Sequence, residues 1–154
     1  MQANATYLES KAEFTFDAGP NTQGVQQTRT TVVQLPGISD WSYNLSAFYE
    51  ANGLSARLSY NWRNDFLITY QDRGDHIYEE YAEPVSRLDL SVNYDVIPAL
   101  TVFADWTNIL GDPFKANLKR TDLANGVPTG FVAEYPRVVR YEESTLTVGI
   151  RFRL

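Results

Sequence analysis

The side chains here best equipped for chemistry are acids, arginines and aromatics. Asp72, Asp75, His76, Glu79, Glu80 and Glu83 crowd one stretch. Hard cations take carboxylate oxygens, so one reading is a cation or ligand contact. The spacing fits no EF-hand loop, and a solvated acidic loop with an exposed His76 is the simpler reading. Cysteine is absent and histidine occurs once, which excludes thiolate and multi-histidine metal sites. Gly-x-Ser-x-Gly, a phosphate-cradling glycine loop and His-Glu-x-x-His are all missing. The expectation is no enzyme, no metal and no cofactor.

Two further groups invite a binding role. Arg57, Arg63, Arg87, Arg151 and Arg153, with Asp89, alternate against apolar neighbours and are candidates to line a substrate path. The simpler alternative is a wall contact, or pairing with cross-strand acids such as Asp89 and Asp105. Tyr78, Tyr81, Phe114, Phe131 and Tyr135 lie in long connections, where rings can stack on sugars or catecholates; loop packing is the plainer alternative.

These residues need strands to place them. Helical periodicity is nearly absent, and period-2 alternation recurs. At the C-terminus Leu146, Val148, Ile150, Phe152 and Leu154 oppose Thr147, Gly149, Arg151 and Arg153. Residues 54–62 and 86–95 alternate as cleanly. Residues 41–49 and 100–106 do so except at Phe48 and Phe103, and 4–10 is a weaker sixth candidate. Ala51-Asn52-Gly53 and Val96-Ile97-Pro98-Ala99 read as tight turns. The other connections, 11–40, 67–84 and 110–138, read as long loops. Short turns at one end and long loops at the other is the layout of an outer-membrane barrel.

Composition narrows the classes. The 154 residues suit one domain, and 44% are hydrophobic, enough to bury or present a large apolar surface. A net charge of -6 argues against nucleic acid and against a polybasic membrane anchor. No apolar run is long enough for a membrane helix, and residues 1–7 show no basic and apolar leader pattern. Barrel strands alternate and escape that test. A soluble sandwich also alternates. The barrel is favoured by strand length and by Tyr and Trp gathered at strand ends. It is favoured too by the lack of charge at mid-strand apolar positions, where Lys or Arg costs about 2–4 kcal/mol in lipid. Six strands do not close a membrane barrel, whose smallest usual count is about eight. The expectation is an antiparallel up-and-down barrel segment, incomplete, continuous with a larger whole.

Leu35-Pro36-Gly37-Ile38-Ser39, Ser42-Tyr43-Asn44-Leu45, Phe48-Tyr49-Glu50, Gly53-Leu54-Ser55-Ala56-Arg57 and Tyr60-Asn61-Trp62-Arg63 resemble the C-terminal barrel of TonB-dependent outer-membrane receptors. Asn108-Ile109-Leu110-Gly111-Asp112-Pro113 resembles the segment after the penultimate strand there. Gly149, Phe152 and Leu154 resemble the terminal signal read by the barrel-assembly machinery, with Leu154 where an aromatic is commoner. The resemblance covers about residues 4–154. It implies a barrel of about 22 strands with a plugged lumen in a Gram-negative outer membrane. The chain would supply the last six strands. Its partners would be outer-membrane lipid, the missing N-terminal barrel and plug, and TonB through that plug, with a small-molecule ligand such as an oligosaccharide or siderophore. The alternative is a soluble antiparallel β-domain acting as a ligand- or carbohydrate-binding module.

Overall fold

The computed structural model describes residues 1–20 and 23–153, the side chains of 18–20 left aside. Every regular element among the described residues is a strand, and all pairing is antiparallel. In chain order the first six are β1 (Gln2–Tyr7), β2 (Ala12–Pro20), β3 (Gln26–Val33), β4 (Trp41–Ala51), β5 (Leu54–Arg63) and β6 (Phe66–Asp72). The second six are β7 (His76–Ala82), β8 (Val85–Ile97), β9 (Leu100–Thr107), β10 (Phe114–Ala124), β11 (Val127–Arg140) and β12 (Thr145–Phe152). The expected six strands appear as one sheet in the order β1-β4-β5-β8-β9-β12, an up-and-down meander. It does not close, and β1 and β12 are its edges.

The three expected long loops are corrected. Segment 11–40 contains the β2–β3 hairpin, and 67–84 and 110–138 supply a second sheet, β11-β10-β7-β6. Four strands of the main sheet continue into that sheet across short breaks. β5 and β8 pair up to Arg63 and Val85, and β6 and β7 resume at Phe66 and Ala82 with no change of register. Asn64-Asp65 and Glu83-Pro84 interrupt the ladder, and a proline has no N–H to give it. Alternation fails at the start of β6 because both faces are covered there: adjacent Phe66 and Leu67 are 9% and 0% exposed.

Turn chemistry fixes the ribbon ends. Asn52-Gly53 and Asn125-Gly126 both take left-handed φ, 52° and 78° in the first pair and 53° and 77° in the second. That is the two-residue turn whose twist matches flanking strands. The first joins β4 to β5 and the second joins β10 to β11.

The two sheets treat apolar groups differently. Among the described residues the buried hydrophobic ones, Phe66, Leu67, Ala82, Ala116, Leu118 and Leu123, lie in β6, β7 and β10. The main sheet's apolar face is bare: Leu146, Val148, Ile150 and Phe152 are 59–68% exposed. Cross-strand register sets aliphatics such as Ala47, Leu58, Leu90 and Ala104 in the middle of that face. Tyr7 and Trp41 meet at 4.9 Å and Tyr43 and Trp62 at 4.8 Å at the end nearer the second sheet. Tyr49, Tyr94 and Phe152 lie toward the other end.

Candidate functional site

The polar face of the main sheet curves inward. A depression of about 690 Å³ takes its lining from β1, β4, β5, β8 and β9, including Gln2, Asn44, Arg57, Asp89 and Asp105. Asn44 and Asn61 also line a second depression of about 520 Å³ at the break between the sheets, so the two form one trough. A third, of about 640 Å³, opens at the far end around Arg151 and Arg153. All six residues expected to face the lumen line these hollows: Arg57 and Asp89 the first, Arg63 and Arg87 the second, Arg151 and Arg153 the third.

Their partners separate them. Asp89 is committed, its carboxylate accepting the backbone N–H of Asn108 at 2.9 Å. Asp105 accepts the Ser91 hydroxyl at 2.6 Å. Arg87 pairs with Glu142. Arg57, Arg63 and Arg151 lie on rings rather than on acids. The Arg57 guanidinium stands 5.3 Å from the Phe48 centroid, Arg63 3.8 Å from Phe66, and Arg151 4.2 Å from Phe103. Phe48 and Phe103 break the alternation for this reason, because each brings a ring to the polar face as a cation platform.

Phe103 has a second task. A Cβ built on Gly149 would come within 2.5 Å of its ring. Gly149 is directly opposite Phe103 in the β9–β12 register. The last strand therefore seats on its neighbour through a ring laid over a missing side chain. Of the other expected terminal-signal residues, Phe152 is 68% exposed on the bare face, and Leu154 falls outside the described residues.

The segment 108–113 links β9 to β10 beside the trough. Asn108 is buried with φ 51°, and its amide donates to the Glu142 carbonyl at 3.1 Å. With Asp89 on its own N–H, it ties β8 to the β11–β12 connection.

In the acidic stretch the carboxylates are drawn to partners of their own, and no cluster suited to a metal occurs among the described residues. Almost every acid has its own cation. Glu79 meets Lys119 at 3.3 Å and Glu80 meets Arg137 at 3.5 Å, both across strands, and Glu83 in the break after β7 meets Lys115 at 3.7 Å. Asp75 lies 2.6 Å from His76 Nδ1. Asp72, its side chain 1% exposed, accepts Arg29 Nε at 2.7 Å. Arg29 also donates to the Gly126 carbonyl at 3.1 Å, so one β3 side chain binds the tips of the β6–β7 and β10–β11 hairpins. Burial raises the Asp72 carboxyl, but the Arg29 hydrogen bond, the Gly74 N–H and the Arg29 and His76 charges outweigh it and hold it below the carboxylate range.

The aromatics expected on loops stand on strands, a correction with the same cause as the missing loops. Tyr78 faces the His76 ring at 4.6 Å, and Phe114 carries Arg140 at 5.1 Å. Tyr81 donates to Glu79 at 3.2 Å. Burial and the neighbouring Glu79 push its phenol up to about 12. Only Phe131 and Tyr135 are exposed, at 57% and 43%. Sequence reading missed Arg140 and Glu142 of the second hollow. The Asn125-Gly126 turn was the available signal, because it folds β11 back along β10 and returns both residues to the break. Compared with protein-family models, with curated proteins and with solved structures, the chain matches none of them.

Proposed function

We propose that this chain is a C-terminal wall segment of a TonB-dependent receptor in a Gram-negative outer membrane, taking part in uptake of a scarce small-molecule nutrient. The observation that carries the reading is the main sheet's division into a bare apolar face and an inward-curving polar face. Water-facing proteins seldom leave a continuous apolar surface of this kind uncovered. In lipid the same face is solvated by hydrocarbon, and girdle aromatics sit at both boundaries. The open edges β1 and β12 would leave backbone groups unpaired in lipid, so they call for the missing barrel strands on both sides. In this reading the polar trough faces a plug that meets TonB. The upper sheet, with its own small core, stands outside the membrane, and β12 guides insertion by the assembly machinery. No residue is assigned a catalytic role.

The test is fractionation after expression in a Gram-negative host. The reading expects the chain in the outer-membrane fraction, resistant to carbonate and extracted only by detergent. A folded monomer in plain buffer overturns it in favour of a soluble binding module.

A further inference from the structure

We propose that the hollow at the break between the two sheets is an oxyanion site, holding the carboxylate or phosphate of a small anionic ligand. Three arginines, Arg63, Arg87 and Arg140, line it against two carboxylates, Asp112 and Glu142. This occurs in a chain whose net charge is -6, so the local excess of cations runs against the whole. Asp112 is occupied by the Ser86 hydroxyl. Glu142 alone serves both Arg87 and Arg140, the latter at 3.3 Å.

Arg63 is the sharpest feature. Arginine ion pairs among the described residues engage Arg29, Arg87, Arg120, Arg137 and Arg140, and Arg63 is outside that set. Its guanidinium lies 3.8 Å from the Phe66 centroid, and Phe66 is buried. Arg140 lies similarly over Phe114. A guanidinium resting on a ring spends its flat face there and keeps its in-plane N–H donors for a second partner. Two such groups, held by rings and converging on one hollow of about 520 Å³, match the fork geometry of carboxylate or phosphate oxygens. Ser42, Asn44 and Asn61 add neutral polar groups for the remainder of the ligand. Glu142 then acts as a resident competitor, occupying arginines until a ligand anion arrives.

The proposal names a ligand class for the receptor reading and rests on it only for the side from which ligand enters. The experiment keeps the two apart by using full-length protein from whichever fraction holds it, membrane or aqueous. Citrate, inorganic phosphate and neutral maltose are titrated calorimetrically at low ionic strength. Saturable binding of citrate or phosphate, with none for maltose, supports the site, and the stronger of the two anions names the group. Arg63→Gln and Arg140→Gln should each weaken it about ten-fold, the loss of one charge-assisted hydrogen bond. Lys115→Gln, whose lysine pairs with Glu83 outside the hollow, should leave it unchanged. Glu142→Gln should tighten binding, a gain that misfolding does not produce. The proposal is overturned if maltose binds as well as the anions or neither anion binds. It is equally overturned if Lys115→Gln weakens binding as much as Arg63→Gln, or if Glu142→Gln fails to tighten it.

Discussion

The main sheet and the upper sheet are built from the same ribbons, yet they hold together by different means. In the upper sheet Leu67, Ala82 and Ala116 are at most 1% exposed, and cross-strand ion pairs organise its acids. In the main sheet the apolar residues lie bare on one side while arginines rest on rings on the other. Backbone register passes unbroken from β5–β8 into β6–β7, so chain topology is not the cause. In the proposed reading the difference is the medium that each part meets. The upper sheet carries a core of its own at β6, β7 and β10, though its edge strand β11 stays exposed, and the main sheet leaves the covering of its apolar face to its surroundings.

That contrast breaks most readily at the core. Leu67→Ala removes a fully buried side chain and should cost about 2–5 kcal/mol. The loss should be confined to the upper sheet: amide exchange should rise across 66–82 and 114–124 while 146–152 stays protected. On the main sheet, Val148→Arg or Ile150→Arg should block insertion, at about 2–4 kcal/mol for a cation at the bilayer midplane. Arg151→Ser, on the opposite face, should insert normally in the same carbonate-extraction assay. Equal tolerance of all three would remove the distinction between the faces.

Gly149→Ala should cost about 1–3 kcal/mol, because its methyl meets the Phe103 ring. Adding Phe103→Ala should restore the folded fraction seen as a heat-modifiable band on gels. A rescue places the strain between those two residues rather than in the glycine's backbone. The smallest effect is a response to acid. The Asp72 carboxyl is held below its ordinary value, so its contribution is complete above the usual carboxylate range. It is lost as pH falls through the lowered value. Amide exchange near 126–130 should therefore rise in acid, and Asp72→Asn should abolish that response while protection of 146–152 is unchanged.

The sequence makes the main sheet legible because one face differs from the other, and alternation at 54–62, 86–95 and 146–154 records that difference directly. The upper sheet was harder to read. Where Phe66 and Leu67 are both covered, polarity carries no period, and Glu79 and Glu83 look like a loop because their partners, Lys119 and Lys115, are distant in sequence. Asn125-Gly126 was the one local sign of that hairpin. Of the trough, Arg57, Arg63, Arg87, Arg151 and Arg153 were visible as polar-face residues. Their ring platforms were not, because in the sequence Phe48 and Phe103 only interrupt the alternation, and Phe66 and Phe114 lie beyond the break.

The three tryptophans offer the most direct measurement of what covers the bare face. Trp41, Trp62 and Trp106 all stand on it near the break with the upper sheet. In bilayers of brominated phosphatidylcholine their fluorescence should be quenched, most strongly when bromine is placed shallow on the acyl chain, while aqueous iodide leaves it largely unchanged. Strong iodide quenching with no effect of brominated lipid would contradict the claim that hydrocarbon covers this face.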